Sequence, residues 1–111
     1  SGEKGAEALI KAGVTAIFAC NDMMAYGAYK IIQEQGIKIP DEISVVGFDD
    51  IYMSEILTPP LTSVNQPAHE MGLMSAAMLV KGIKGKALEK TRMEFRPTLS
   101  KRKSVGPPHK S

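Results

Sequence analysis

The sequence predicts an α/β fold in which a parallel sheet is flanked by helices. Two short apolar runs, TAIFAC at 15–20 and ISVVG at 43–47, have the composition of parallel strands that are covered on both faces. The residues between them have the length and pattern of one helix, which is the usual crossover between neighbouring parallel strands. The 111 residues are enough for one modest domain, or for part of one.

The composition excludes several broad classes of protein. The net charge is only +2, from 14 basic and 12 acidic residues, so no global field calls for a polyanionic partner. Cys20 is the single cysteine, which rules out an internal disulfide and fits a reducing cytoplasm. The apolar runs are too short for a membrane span, and the first residues lack an export signal. We therefore expect a cytoplasmic protein.

Apolar residues at helical spacing mark the first two helices. They predict one helix from residue 2 to about 12, which Gly13 ends. A second helix begins behind the capping residues Asn21 and Asp22 and ends at Gly36.

The second half of the chain predicts two extended segments around one long helix. Residues 51–57 have the pattern of a short helix, and LTSVNQ at 61–66 is extended. From Pro67, an apolar stripe predicts a helix that ends at Gly85. Alternation over 91–105 predicts an extended edge strand.

Polar residues follow both predicted strands of the crossover unit. Asn21 and Asp22 end the first, and Asp49 and Asp50 end the second. Ligands of open parallel sheets bind beyond the carboxyl ends of the strands, where a carboxylate and an amide suit a polyhydroxyl or heterocyclic molecule. The same residue types also cap helices. The spacing favours capping for Asp22 and Asp50, and for Asn21 and Asp49 it fits capping and ligand contact equally.

An enzyme would use the paired carboxylates for acid/base chemistry or for Mg²⁺. His69 and His109 are far apart, and neither stands beside a serine or cysteine in a nucleophile motif. His69 is interpreted as a solvated residue in the first turn of its helix. We predict neither catalysis nor a bound metal or cofactor.

Two further features have ordinary structural interpretations. Met71, Met74 and Met78 lie at helical spacing, which indicates core packing rather than a soft metal site. The basic segment KRKSVGPPHK at 101–110 has neither interleaved aromatic residues nor a recognition helix, so it is interpreted as a solvated tail rather than a DNA contact.

Three segments of the sequence resemble those of a known family. They are TAIFACNDMMAYGAYKIIQEQGIKIPDEISVVGFDDI, PPLTSVNQPAHEMG and LSKRKSV. In this order and spacing, over about residues 6–106, they resemble the end of the effector-binding domain of the lactose/galactose-repressor (LacI/GalR) family of transcriptional regulators. Periplasmic sugar-binding proteins of ABC transporters share the ND-x-x-A-x-G and VVGFD pieces and remain the alternative. The PPLTSVNQP segment and the dibasic ending favour the repressors.

The resemblance implies a type I periplasmic-binding-protein fold, with two α/β lobes joined by three crossover strands. Residues 1–62 would then belong to the C-terminal lobe. Residues 63–111 would supply a crossover strand, a helix of the N-terminal lobe, a returning strand and the tail.

The family's effector contacts correspond to Asn21 in the ND motif and Asp49 in GFDD, with Gln66 as a weaker candidate in the crossing segment. The effector would be a sugar or a purine-like molecule. Much of the family's cleft is formed by residues without a counterpart in this chain, so we expect the chain alone to bind effector weakly or not at all.

The resemblance also implies a homodimer formed through the C-terminal lobe. The residues expected at its interface are Met24, Tyr26, Tyr52, Met53, Ile56 and Leu57. Effector binding would change the affinity for operator DNA, which a helix-turn-helix domain outside this chain would contact.

Overall fold

The computed structural model describes residues 2–87 and 92–109. Its elements are α1 (Gly2–Lys11), β1 (Ala16–Phe18), α2 (Asp22–Glu34), β2 (Ser44–Asp49), a 3-10 helix (Tyr52–Glu55), β3 (Thr62–Asn65), α3 (Ala68–Ile83) and β4 (Thr98–Ser100). The strands form one sheet in the order β1-β2-β3-β4. The predicted α/β class is confirmed.

The predicted strand-helix-strand unit is present. β1 and β2 are parallel neighbours in which Phe18 pairs with Val46, and α2 connects them. β3 lies parallel on the other side of β2, with Asp49 paired to Asn65. Because all three strands run the same way, their carboxyl ends share one edge of the sheet.

The strand bounds differ from the predicted ones for a reason of pairing. β1 is limited to three residues because it pairs only with the first half of β2. β2 continues two residues beyond the predicted end, because its second half pairs with β3 up to Asp49.

The last segment forms much less strand than predicted. The predicted edge strand begins at Thr91, which lies outside the described residues, as does Lys110 of the predicted tail. Beyond β4, the backbone makes separate hydrogen bonds, from the Lys103 amide to the Pro60 carbonyl and from the Val45 amide to the Ser104 carbonyl. Ser104 is fully buried, and its Oγ accepts from the Thr62 amide and donates to the Val45 carbonyl. The backbone and the buried hydroxyl of Ser104 thus anchor the tail to both β2 and β3 without a longer strand.

The core lies on one face of the sheet. Its largest fully buried apolar side chains are Ile32 of α2, Val45 of β2, and Leu61, which precedes β3. On the opposite face Phe18 is 66% exposed. The expectation of cover on both faces is therefore wrong for β1, where alternation buries only one side. In β2, the residues from Ser44 to Phe48 are all buried or half-buried.

The chain divides into two compact units, residues 1–65 with 99–111 and residues 66–98. The predicted division between residues 62 and 63 stays a prediction.

In the unit formed by residues 66–98, α3 has no buried residue. Met71 and Met78 are half-buried, Met74 is exposed, and the described side chains beside them include Met93 and Phe95. The prediction that these methionines form core is wrong here, because so short a neighbouring segment cannot cover a helix face. In the described part of the chain, no helix has the length and apolar character needed to cross a bilayer.

Candidate functional site

Asn21 and Asp49 lie at the same level of the carboxyl edge of the sheet. Phe18 pairs with Val46, and the Ala19 amide donates to the Val46 carbonyl at 2.8 Å, so the ladder continues past the end of β1. Asn21 is three residues after Phe18, and Asp49 is three residues after Val46, so both residues lie at the same distance beyond this pair. The two predicted polar corners therefore follow neighbouring strands at the same edge of the sheet.

Asn21 is the N-cap of α2. Its backbone is extended, with φ −156° and ψ 170°, and its Oδ1 accepts the Met24 amide at 2.9 Å. Capping is thus established for this residue. The cap uses only Oδ1, which leaves the donor group Nδ2 of this half-exposed side chain as the part suited to a ligand.

Asp49 and Asp50 both have positive φ angles, 107° and 55°. Such angles are rare for residues other than glycine and cost about 1–3 kcal/mol each, so they persist only where surrounding contacts enforce them. Asp49 is exposed at the end of β2, and its positive φ determines the direction in which its side chain leaves the backbone. Strain of this kind is typical of functional sites.

Asp22 does not cap α2, contrary to the prediction. It is 1% exposed, and its Oδ2 accepts the Ile51 amide at 2.9 Å and the Ser54 hydroxyl. Its Oδ1 accepts the Ser63 hydroxyl at 2.6 Å. The capping prediction considered only local sequence, whereas these donors lie 29 to 41 residues away.

Asp50 is not a helix cap either. Its Oδ2 accepts from Asn65 Nδ2 at 3.0 Å and Ser100 Oγ at 2.7 Å, and its Oδ1 lies 2.7 Å from Arg102 Nη1. Burial alone would raise the pKa of this carboxyl, but the hydrogen bonds from Arg102, Ser100 and Asn65 outweigh it and hold the pKa below its usual value. Asp50 is thus a buried, ionised link between segments.

Sequence reasoning missed Ser100 and Arg102 as functional candidates. Both lie in the segment LSKRKSV, which was interpreted only as a point of resemblance to the family and, from residue 101, as part of a basic tail. The Arg102 side chain is only 16% exposed, so it belongs to the fold rather than to a solvated tail. An arginine two residues after a short strand gave no local signal of its distant carboxylate partner.

Gln66, the third predicted effector contact, opens the second compact unit and is half-buried. It interacts with other residues of the chain. Its contribution to an effector site stays a prediction.

The residues predicted at a dimer interface fall into two groups. Tyr52, Ile56 and Met53 are 76%, 57% and 45% exposed, which is a large apolar area around the 3-10 helix. Met24, Tyr26 and Leu57 are partly buried against the core of their own unit.

Tyr26 is also fixed by a polar contact, since its hydroxyl shares a hydrogen bond with Ser54 Oγ at 2.9 Å. Burial is the main cause that raises its pKa. Met23, for which no interface role was predicted, is 67% exposed at the start of α2.

Within residues 2–87 and 92–109, no three His, Cys, Asp or Glu side chains lie close enough together to hold a metal ion. His69 is exposed in the first turn of α3, as predicted, and His109 is exposed in the tail.

The chain matches a family described as a periplasmic binding protein-like domain over residues 2–105. It is 45% identical over 91 residues to the HTH-type transcriptional repressor PurR of Histophilus somni (strain 129Pt), and the match covers 82% of this chain and 27% of the repressor. It is 38% identical over the same shares to the ribose operon repressor of Haemophilus influenzae. The chain thus spans about a quarter of the length of these relatives.

Solved structures agree with the sequence matches. One is a LacI family transcriptional regulator from Enterococcus faecalis V583 with bound ribose, which has a TM-score of 0.89 and 34% identity. The similarity covers 96% of this chain and 40% of that structure. At this identity the likeness extends beyond the general fold.

Proposed function

This chain belongs to the family of periplasmic binding protein-like domains, and we propose that it is the C-terminal part of the effector-binding domain of a LacI-type transcriptional repressor. Its relatives are named as transcriptional repressors. Their names favour this proposal over the alternative, a sugar-binding protein of a transporter.

The position of Asn21 and Asp49 just after or at the carboxyl ends of the neighbouring strands β1 and β2 carries the proposal. The Asp49 carboxylate accepts hydrogen bonds from ligand hydroxyl or ring N–H groups, and Asn21 Nδ2 donates to a ligand oxygen or ring nitrogen. This combination suits a sugar or a purine-like molecule. A relative is named for ribose, and a ribose-bound regulator is among the similar structures. Gln66 would add a contact from the crossing segment.

The regulatory step would be a shift between two conformations. An effector that binds one arrangement of the two lobes more tightly than the other stabilises that arrangement, and operator affinity changes with it. Residues 1–62 would belong to one lobe, and the helix of residues 63–111 to the other. Operator contact would belong to the whole repressor, which would act in the cytoplasm.

Dimerisation would use the exposed apolar residues around the 3-10 helix. Tyr52, Met53 and Ile56 expose side chains of the size that dominates protein interfaces, and they lie within one stretch of five residues. Tyr26, Met24 and Leu57 would contribute their exposed edges. A second copy of the same surface would remove this area from water.

The test is a ligand screen of the full-length repressor, followed by one substitution. Thermal-shift measurements with hypoxanthine, guanine, D-ribose and cellobiose should identify a compound that raises the melting temperature, because ligands stabilise the state that binds them. Asp49→Ala should then abolish that shift. Asp41→Ala, at an exposed position before β2, should leave it unchanged. A normal shift in Asp49→Ala would remove this residue from the site.

A further inference from the structure

Asp50 accepts hydrogen bonds from residues at both connections, the two places where the chain passes between the compact units. The chain leaves the unit of residues 1–65 and 99–111 after Asn65 and returns to it at residue 99. Asn65 Nδ2 and Ser100 Oγ both donate to the same oxygen, Asp50 Oδ2. One buried carboxylate oxygen therefore joins the outgoing and the returning connection.

Arg102 fixes the returning connection more firmly. Its Nη1 lies 2.7 Å from Asp50 Oδ1 and donates to the Leu61 carbonyl at 2.7 Å, and its amide donates to Thr62 Oγ1 at 2.9 Å. The side chains of Arg102 and Asp50 are 16% and 8% exposed, so water screens the pair weakly. Glu55 contacts the same guanidinium at 3.7 Å but is 67% exposed, where an ion pair contributes little.

These bonds also explain the strained turn. The Asp50 amide donates to Ser63 Oγ at 3.0 Å, so both the backbone and the carboxylate of Asp50 are held. Asp49 shares a peptide bond with this fixed residue and carries the positive φ of 107°. The contacts on Asp50 thereby fix the peptide that follows Asp49, which itself interacts with other residues of the chain.

We propose that Asp50 and Arg102 form a hinge clamp, which holds the two connections together and positions Asp49 for the effector. The clamp is a positioning device, since neither residue needs to touch the ligand. A movement of either connection strains the bonds to Asp50 Oδ2, and the shared peptide passes the change to Asp49. The effector part of the inference rests on the proposed function.

The test measures amide hydrogen exchange in the complete protein without any ligand. Ser100→Ala removes one bond from the returning connection and leaves the ion pair in place. If the clamp couples the connections, exchange should rise about tenfold at 99–102 and also at 62–65, while α1 and α2 keep their protection. Asp50→Asn, which keeps the size of the side chain, should give a larger rise in both segments.

The control is Glu55→Gln, which removes the exposed partner of Arg102 and should leave every segment unchanged. An increase at 99–102 alone would show that the connections are held independently and would overturn the clamp. A uniform increase that includes α1 and α2 would show a general stabilising role and would also overturn it. Because no effector is present, a failed ligand screen would count against the proposed function and not against the clamp.

Discussion

The carboxylate of Asp22 reaches Ser63 across Gly47, a residue of the intervening strand that has no side chain. Gly47 pairs with Ser63 in the sheet, and the Ser63 hydroxyl donates to Asp22 Oδ1 at 2.6 Å. A Cβ atom on Gly47 would lie 2.2 Å from that oxygen and 2.9 Å from Leu61 Cδ2. The glycine therefore makes room for a buried bond between α2 and β3.

Gly47→Ala should lower the free energy of unfolding by about 3 kcal/mol, because the new methyl group displaces a buried carboxylate from its donors. Urea denaturation would measure the change. Gly5→Ala is the matched control, since nothing lies within 4 Å of its added Cβ in α1. It should instead stabilise the protein by about 0.5–1 kcal/mol. Equal effects of the two substitutions would contradict the packing argument.

Asp22→Asn should be destabilising although it keeps the shape of the side chain. The carboxylate accepts three hydrogen bonds, from the Ile51 amide and from Ser54 and Ser63, whereas an asparagine would turn a donor toward one of these donors. We expect the free energy of unfolding, measured by urea denaturation, to fall by about 2–4 kcal/mol, because charge-assisted buried hydrogen bonds are lost. Asp41→Asn, at an exposed position, should change stability by less than about 0.5 kcal/mol.

These contacts show what the sequence could and could not predict. Asn21 and Asp49 were placed correctly at one edge, because strand ends and helix starts follow from local periodicity. The partners of Asp22 and Asp50 are 13 to 52 residues distant in sequence, and local patterns contain no information about them. The methionines of α3 were assigned to a core for the same reason, since an apolar stripe does not reveal what covers it.

The stability should fall at high pH through Tyr29. This residue is 3% exposed, and its hydroxyl donates to the Pro59 carbonyl at 2.8 Å. Burial raises its pKa to about 12. A raised pKa for a group that is neutral when protonated means that its contribution is complete below about pH 10 and is lost as pH rises toward 12.

Tyr29→Phe should therefore change both the size and the pH dependence of stability. At pH 7 it should cost about 1 kcal/mol, because the Pro59 carbonyl loses its donor. The difference between the two proteins should shrink and then reverse between pH 10 and pH 12, since phenylalanine cannot ionise. Urea denaturation across this range checks the prediction, and a constant difference would contradict it.

Ile56→Glu should weaken the proposed dimer. Ile56 is 57% exposed beside Met53 and Tyr52, so a charge there would be buried without a partner if two copies met at this surface. Sedimentation equilibrium of the full-length protein should show at least a tenfold higher dimer dissociation constant. Leu9→Glu, on an exposed apolar residue of α1, should leave the constant unchanged. If both variants dimerise normally, the interface lies elsewhere.

The two roles of Asn21 can be separated by a pair of substitutions. The cap needs only an oxygen that accepts the Met24 amide, and aspartate provides one while adding a charge that the start of a helix favours. Ligand binding needs the Nδ2 donor, which aspartate lacks. Asn21→Asp should therefore keep the melting temperature of the ligand-free protein. It should weaken the affinity for the ligand about tenfold, which would be seen as a smaller ligand-induced shift. Asn21→Ala should lose the ligand-induced shift and about 1 kcal/mol of stability as well. If Asn21→Asp bound the ligand with unchanged affinity, Asn21 would serve only as a helix cap, and Asp49 would be left as the predicted effector contact of the two.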